Sequence, residues 1–342
     1  MTTSPASSPL GTWRVLGTGL LLAAGGMALV GLVHTFVVVS GREGGLIDFG
    51  PLYTAAATLL RGESPYPQLA YPPLPAIVTV PLALVPLEVA EVLVMLVLVA
   101  GVPVTLRLLG VRDWRCYVVA FLWTPVLSAI QTGNITILLG LGAALAWRYR
   151  ERAHVPALIV GVTLAAKFFL WPLAVWLAAT GRRRAGAESL AAGALILLAS
   201  WAAIGFAGVR EYGDVAESVR MTVERDAYTV YALALDLGAS PPLARALILA
   251  VAAALAAWPL VWLHSFELLL VAVAVAQPRL ALAWLVPVAM VLSTGSGNGT
   301  PPETAFALAA TGLTVAVALR PWPARSYGAT GGRTTTASSS LR

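Results

Sequence analysis

The chain has little of what a soluble enzyme uses for catalysis in water. Its single cysteine, Cys116, rules out an internal disulfide and a thiolate metal cluster. The three histidines, His34, His154 and His264, stand apart, with no HExxH or Cys/His spacing, so no metal is assigned. No P-loop and no dinucleotide fingerprint occurs, so nucleotide handling is unsupported and no cofactor is expected. Charged residues make up only 11% and hydrophobic residues 58%, far from the balance of a soluble domain, so lipid is the main solvent. The short alternating segments of a β-barrel are missing as well. The net charge of +6 does not point to nucleic acid, because the arginines sit at the ends of apolar runs, where the positive-inside rule already explains them.

What is present is a series of long apolar runs. They predict an all-α, polytopic transmembrane bundle of roughly nine to twelve spans of 12–25 residues, some of them short helices. Residues 1–14 read as a polar tail, 15–319 as a single transmembrane domain, and 320–342 as a disordered basic Ser/Thr/Gly tail. The first run, 15–39, is too long for a signal-peptide core and has no A-x-A site behind it, so an uncleaved span is expected.

Three arginine clusters order the middle of the chain: Arg107, Arg112 and Arg115; Arg148, Arg150 and Arg152; and Arg182, Arg183 and Arg184. The positive-inside rule puts all three on the cytoplasmic face. One span over 155–179 would split the second and third clusters between opposite faces. The sequence therefore predicts a pair of short helices, 155–166 going out and 168–179 returning past Pro172. Beyond them come a span at 187–207, an external loop at 208–240, and apolar runs at 243–263, 265–276, 280–294 and 304–319. That count of eleven would place the basic tail outside, against the rule.

Residues 46–75, LIDFGPLYTAAATLLRGESPYPQLAYPPLP, form an acidic, aromatic, proline-stiffened island in this oil. Asp48 reads either as a general base or substrate ligand, or as a helix N-cap ahead of Pro51. The YTAAATLL that follows reads as an amphipathic stretch lying flat on the membrane. Lys167 is the one charge within VTLAAKFFLWPLAVW. It reads either as a ligand for a phosphate-bearing substrate or as a side chain snorkelling to an interface. Gln131, Gly133 and Asn134 form a polar turn, fit either to hydrogen-bond a sugar or simply to end a helix. No internal repeat is visible, which disfavours many transporter folds.

Three elements in register resemble glycosyltransferase family 87. The first runs from Asp48 and Tyr53 through Arg61-Gly62-Glu63-Ser64-Pro65-Tyr66 and Tyr71-Pro72-Pro73-Leu74 to Pro81-Leu82-Ala83. The second is Gln131-x-Gly133-Asn134, and the third is Lys167 followed by Pro172 with Arg182 to Arg184 behind it. The resemblance covers residues 15–185. It implies an integral-membrane transferase of the GT-C type with an extracytoplasmic first loop, multi-pass in the cell membrane. Such an enzyme would transfer a hexose, with mannose the implied sugar, from a polyprenyl-phosphate donor to a lipid or glycan acceptor, with inversion. Asp48 would be the base. Lys167 would hold the donor phosphate, and Tyr53, Tyr66, Tyr71, Gln131 and Asn134 would shape the sugar pocket. Donor, acceptor and membrane lipids are the partners this implies. Many members of that family carry an S-P-x-x-W-x-H-type turn late in the chain; the matching place here is Ala276-Gln277-Pro278-Arg279, with Trp284 further on and no histidine. Two other readings stand beside the transferase: a transporter or flippase for a lipid-linked or anionic substrate, and a catalytically silent family member.

Overall fold

The computed structural model describes residues 9–40, 46–223, 228–244, 263–293 and 299–319. Most of the 243–263 run and the tail from 320 lie outside the described residues. Among the described residues there is no strand. The helices are α1 (Pro9–Ser40), α2 (Phe49–Leu60), α3 (Pro73–Thr79), α4 (Leu87–Leu108), α5 (Trp114–Ala120), α6 (Thr124–Thr132) and α7 (Thr136–Arg148). They continue as α8 (Val155–Ala166), α9 (Trp171–Ala179), α10 (Arg183–Ala203), α11 (Val209–Val223) and α12 (Val230–Asp236). The last three are α13 (Leu269–Ala276), α14 (Leu282–Leu285) and α15 (Pro301–Ala318). Segments in α1, α4 and α10 are long and apolar enough to cross a membrane. The α6–α7 pair passes the same test as one unit bent by 119°, and the remaining apolar helices are shorter.

Proline and glycine set the breaks. Pro73 at the first turn starts α3, a 3₁₀ turn over Val80–Leu84 follows, and Pro86 caps α4. Gly133 ends α6 in the left-handed region at φ 71°, and the chain reverses into α7. Three expectations change. Helix α1 begins at Pro9, inside the segment read as a polar tail. Helix α2 does not lie flat on a membrane, because Phe49, Leu52, Ala55 and Ala56 bury its apolar face in the protein core. The segment read as an external loop, 208–240, holds α11 and α12.

The bundle has two chemically different ends. At one, the backbone N–H of Leu46 donates to Glu91 Oε1 on α4 at 2.7 Å, next to the α6–α7 turn. At the other lie Arg107, Arg112, Arg148 and Arg150. At 1.5 Å per residue, α4 spans about 24 Å from Glu91 to Arg107 and α7 about 18 Å from Thr136 to Arg148. The first approaches the roughly 30 Å apolar core of a bilayer, and the second falls well short of it.

The paired short helices are present. Lys167 breaks the helix in an extended conformation, and α9 runs back beside α8. His154 Nδ1 sits 2.9 Å from Glu188 Oε2, and Arg182 pairs with Glu151, so both ends of the pair return to the arginine end. Small residues let these helices touch. A Cβ on Gly161 would lie 2.6 Å from Ala192 Cβ, and one on Gly142 would lie 2.6 Å from Thr163 Cγ2. Where lipid is as apolar as the helices themselves, such close approach is the main source of packing energy.

Residues 276–284, where the sequence departs from the resemblance, are also anchored at the arginine end. Leu280 N–H donates to Asp113 Oδ2 at 3.1 Å, Trp284 Nε1–H to Gln277 O at 2.7 Å, and Trp123 Nε1–H to Trp284 O at 2.9 Å. Hydrogen bonding from Arg115 holds the Asp113 carboxyl down to about 2. These contacts give residues 277–284 a fastening role, away from Asp48.

Candidate active site

Asp48 stands at the N-cap position of α2, yet its side chain makes no capping hydrogen bond. Its carboxylate is turned toward the other polar turn instead: Asn134 Nδ2–H donates to Asp48 Oδ2 at 2.9 Å. The backbone joins the same two segments, with Asp48 N–H donating to Thr132 O at 2.8 Å. Asn134 is itself buried and fixed. Its Oδ1 accepts from the Thr136 N–H at 3.0 Å and from the Thr136 hydroxyl, and this orients the amide so that Nδ2 faces the carboxylate. Asp48 itself remains half-buried.

Two further groups complete the cluster. The Asn134 amide also contacts the Tyr71 phenol, and the Asp48 charge acts on the same phenol. Burial pushes the Tyr71 hydroxyl up, with the Asp48 charge adding to it and the Asn134 contact working against both. Tyr71 is therefore a neutral hydrogen-bonding group at physiological pH. Lys167 reaches in from the α8–α9 break, its Nζ 5.5 Å from the centre of the Tyr71 ring and within electrostatic reach of Asp48. It forms no ion pair with a carboxylate among the described residues. A half-buried ammonium over an aromatic face, without a bonded counterion, is suited to receive an anion from outside the protein.

The other residues singled out in the sequence fall into different places. Tyr66 braces the loop: its hydroxyl donates to Tyr71 O at 3.0 Å, and its ring stacks on Trp201 at 5.5 Å and meets Tyr212 edge-on at 5.4 Å. Burial pushes its phenol up, with Tyr212 adding to the effect. The Tyr53 hydroxyl donates to Val85 O at 2.7 Å, which commits it to joining α2 to the chain before α4. Gln131 is exposed in the last turn of α6. Glu63 pairs with Arg61 at 3.2 Å on the surface of the loop.

Two carboxylates were not singled out as site residues from the sequence. Glu91 is buried and holds the Leu46 N–H, fixing the segment that carries Asp48. Glu267 is buried against Gly140, one turn along α7 from Thr136, and its Oε2 has no hydrogen-bond partner among the described residues. The signal for both was a carboxylate inside an apolar run, the same signal that marked Lys167.

The family model described as glycosyltransferase family 87 matches residues 69–287, more than half of the chain. The match takes in Tyr71, Gln131, Asn134 and Lys167 and begins after Asp48, Tyr53 and Tyr66. No curated protein and no solved structure matches.

Proposed function

The chain belongs to glycosyltransferase family 87 and is a membrane glycosyltransferase, and from that premise we propose that it transfers a hexose, mannose by preference, from a polyprenyl-phosphate donor to a lipid-linked or glycan hydroxyl. The reaction runs at the Asp48 end of the bundle, on the extracytoplasmic face of the cell membrane, which the chain crosses several times. The observation that carries this reading is the direction of the Asp48 carboxylate. It leaves its own helix uncapped and bonds Asn134, with Tyr71 and Lys167 within electrostatic reach, and the three arrive from separate breaks in the helices.

In the transfer, Asp48 accepts the proton of the acceptor hydroxyl. That oxygen forms a bond to the anomeric carbon while the bond from this carbon to the phosphate oxygen breaks. The electron pair leaves with the polyprenyl phosphate, and attack opposite the leaving group inverts the anomeric centre. The charge that grows on the leaving phosphate is met by the Lys167 ammonium. Asn134 keeps the carboxylate aimed, and Tyr71 offers a neutral hydroxyl to the sugar. A lipid-phosphate donor requires no nucleotide site, in keeping with the missing nucleotide motifs.

The test uses the full chain in proteoliposomes supplied with polyprenyl-phosphate mannose, polyprenyl-phosphate glucose or GDP-mannose. Covalent sugar product is expected from the lipid-phosphate donors, most from the mannose donor, and none from GDP-mannose. Product from GDP-mannose alone would sink the donor assignment. Uptake of donor into the lumen without product would favour a transporter.

The phosphate role of Lys167 makes a separate prediction. Lys167→Met removes a charge-assisted contact, for which about 1.5–3 kcal/mol is typical. The donor kcat/KM should fall about ten- to hundredfold with the acceptor KM little changed, measured by titrating each substrate in turn. An unchanged donor kcat/KM would remove Lys167 from the phosphate site.

A further inference from the structure

The far end of the bundle carries a second polar site that the transferase reading does not use. A cavity of about 330 Å³ lies between the C-terminal ends of α4 and α7. Arg107, Arg112, Arg148 and Arg150 line it, together with Gly110 and Trp147. No acidic side chain is among its walls.

Part of this arrangement has a simple explanation. Arg107 and Arg148 sit in the last turns of their helices, where a cation complements the helix dipole. The positive-inside rule favours arginine here as well. Neither effect by itself gathers four guanidinium groups around one cavity. Elsewhere at this end three arginines are answered by carboxylates, Arg115 by Asp113, Arg182 by Glu151 and Arg184 by Glu188, and Arg152 lies over the Tyr149 ring. Among the described residues, Arg107, Arg112 and Arg148 have no such partner. Arg150 is the fixed member of the group. It lies 4.5 Å over the Trp147 ring and donates from Nη1 to Trp147 O at 2.8 Å, with Glu151 at 3.5 Å on its outer side.

We propose that this cavity binds the phosphate of an anionic phospholipid headgroup in the leaflet opposite the sugar-transfer site. A guanidinium fork matches phosphate oxygens in geometry as well as charge. The surroundings favour a lipid over a soluble anion. Val97 and Val104, seven residues apart and so on one face of α4, are about half exposed and lead down the helix from Arg107. An acyl chain lying along that face would place its phosphate at the arginines. Trp147, stacked on Trp176 at 5.3 Å, supplies the amphipathic ring common at this depth. Basic pockets between transmembrane helices on the cytoplasmic side are suited to such headgroups.

The experiment takes the delipidated full chain in neutral detergent and titrates it with dioleoylphosphatidylglycerol, dioleoylphosphatidylcholine or inorganic phosphate, counting bound lipid by native mass spectrometry. No sugar donor is present, so the outcome is independent of transferase activity. Phosphatidylglycerol should bind more tightly than phosphatidylcholine, and inorganic phosphate at equal concentration should not displace it. The Arg107→Gln/Arg148→Gln variant should bind phosphatidylglycerol about thirtyfold more weakly, from the usual worth of two basic residues near an anionic surface. Arg112→Gln, in an exposed loop, tests the same site without touching a helix and should weaken binding about fivefold. Unchanged binding by both variants, or no preference for phosphatidylglycerol over phosphatidylcholine, would overturn the proposal. Displacement by inorganic phosphate at equal concentration would overturn it in favour of a soluble anion.

Discussion

Asp48→Asn is expected to insert and fold as the parent does, and to lower sugar transfer by about a hundred- to ten-thousandfold, the usual worth of a positioned general base. The substitution keeps the shape of the side chain. The new amide oxygen can still accept from Asn134 Nδ2, which lies 2.9 Å from the carboxylate in the parent. What is lost is the capacity to take a proton from the acceptor. The reading of Asp48 as a helix cap predicts a different result. A working N-cap is worth about 0.5–2 kcal/mol of stability, and its loss has no direct bearing on the chemistry. Since the Asp48 side chain makes no capping hydrogen bond and the asparagine keeps the acceptor for Asn134, Asp48→Asn should cost little stability, whereas Asp48→Ala strands the buried Asn134 amide and should cost about 1–3 kcal/mol. The measurement therefore pairs initial rates in proteoliposomes with thermal unfolding in detergent, for Asp48→Asn and Asp48→Ala. In Asp48→Asn, loss of rate at unchanged stability supports the base. Loss of stability at unchanged rate returns Asp48 to the role of a cap.

Those two readings of Asp48 could not be separated in the sequence, and the reason is general. Position along the chain fixes where a side chain starts, but not which partner it finds eighty-six residues later. The elements themselves were more legible. The break at Lys167 followed from charge alone, because three arginine clusters on one face require an out-and-back pair between the second and third. Arg182 joined to Glu151 realises that requirement. The amphipathic look of α2 misled, because a small-residue face such as Ala55 and Ala56 suits close packing against protein as well as it suits a membrane surface. Glu91 was passed over because its partner is a backbone N–H, that of Leu46, and backbone donors leave no trace in a sequence. Tyr53 shows the converse: a tyrosine on α2, in a stretch the sequence marks as a polar island, whose hydroxyl is spent on a carbonyl, that of Val85.

Gly133→Ala carries the largest expected structural effect, and it reaches the chemistry. Gly133 has φ 71°, in the left-handed region, where an alanine costs about 1–2 kcal/mol. The site is also closed to a side chain. A Cβ there would lie 2.8 Å from Phe49 Cβ and 2.9 Å from Leu46 Cβ. Both of those atoms are fixed by their own backbone, so no rotamer change relieves the contact. The turn must move away from the Asp48 segment, adding about 1–3 kcal/mol of overpacking. Together the two terms predict a loss of about 2–5 kcal/mol. The same displacement pulls Asn134 off the Asp48 carboxylate and should lower transfer even at temperatures where the variant is folded. Gly62→Ala separates the contributions: its φ is 75° and nothing lies within 4 Å of the added Cβ, so it carries only the backbone cost. Thermal unfolding of both variants in detergent, with transfer rates taken well below each transition, checks the argument. Gly133→Ala should be the less stable of the two and the only one with a large rate defect. Equal stability and equal rates would mean that the α6–α7 turn does not need to approach Asp48, and the site built on that approach would lose its foundation.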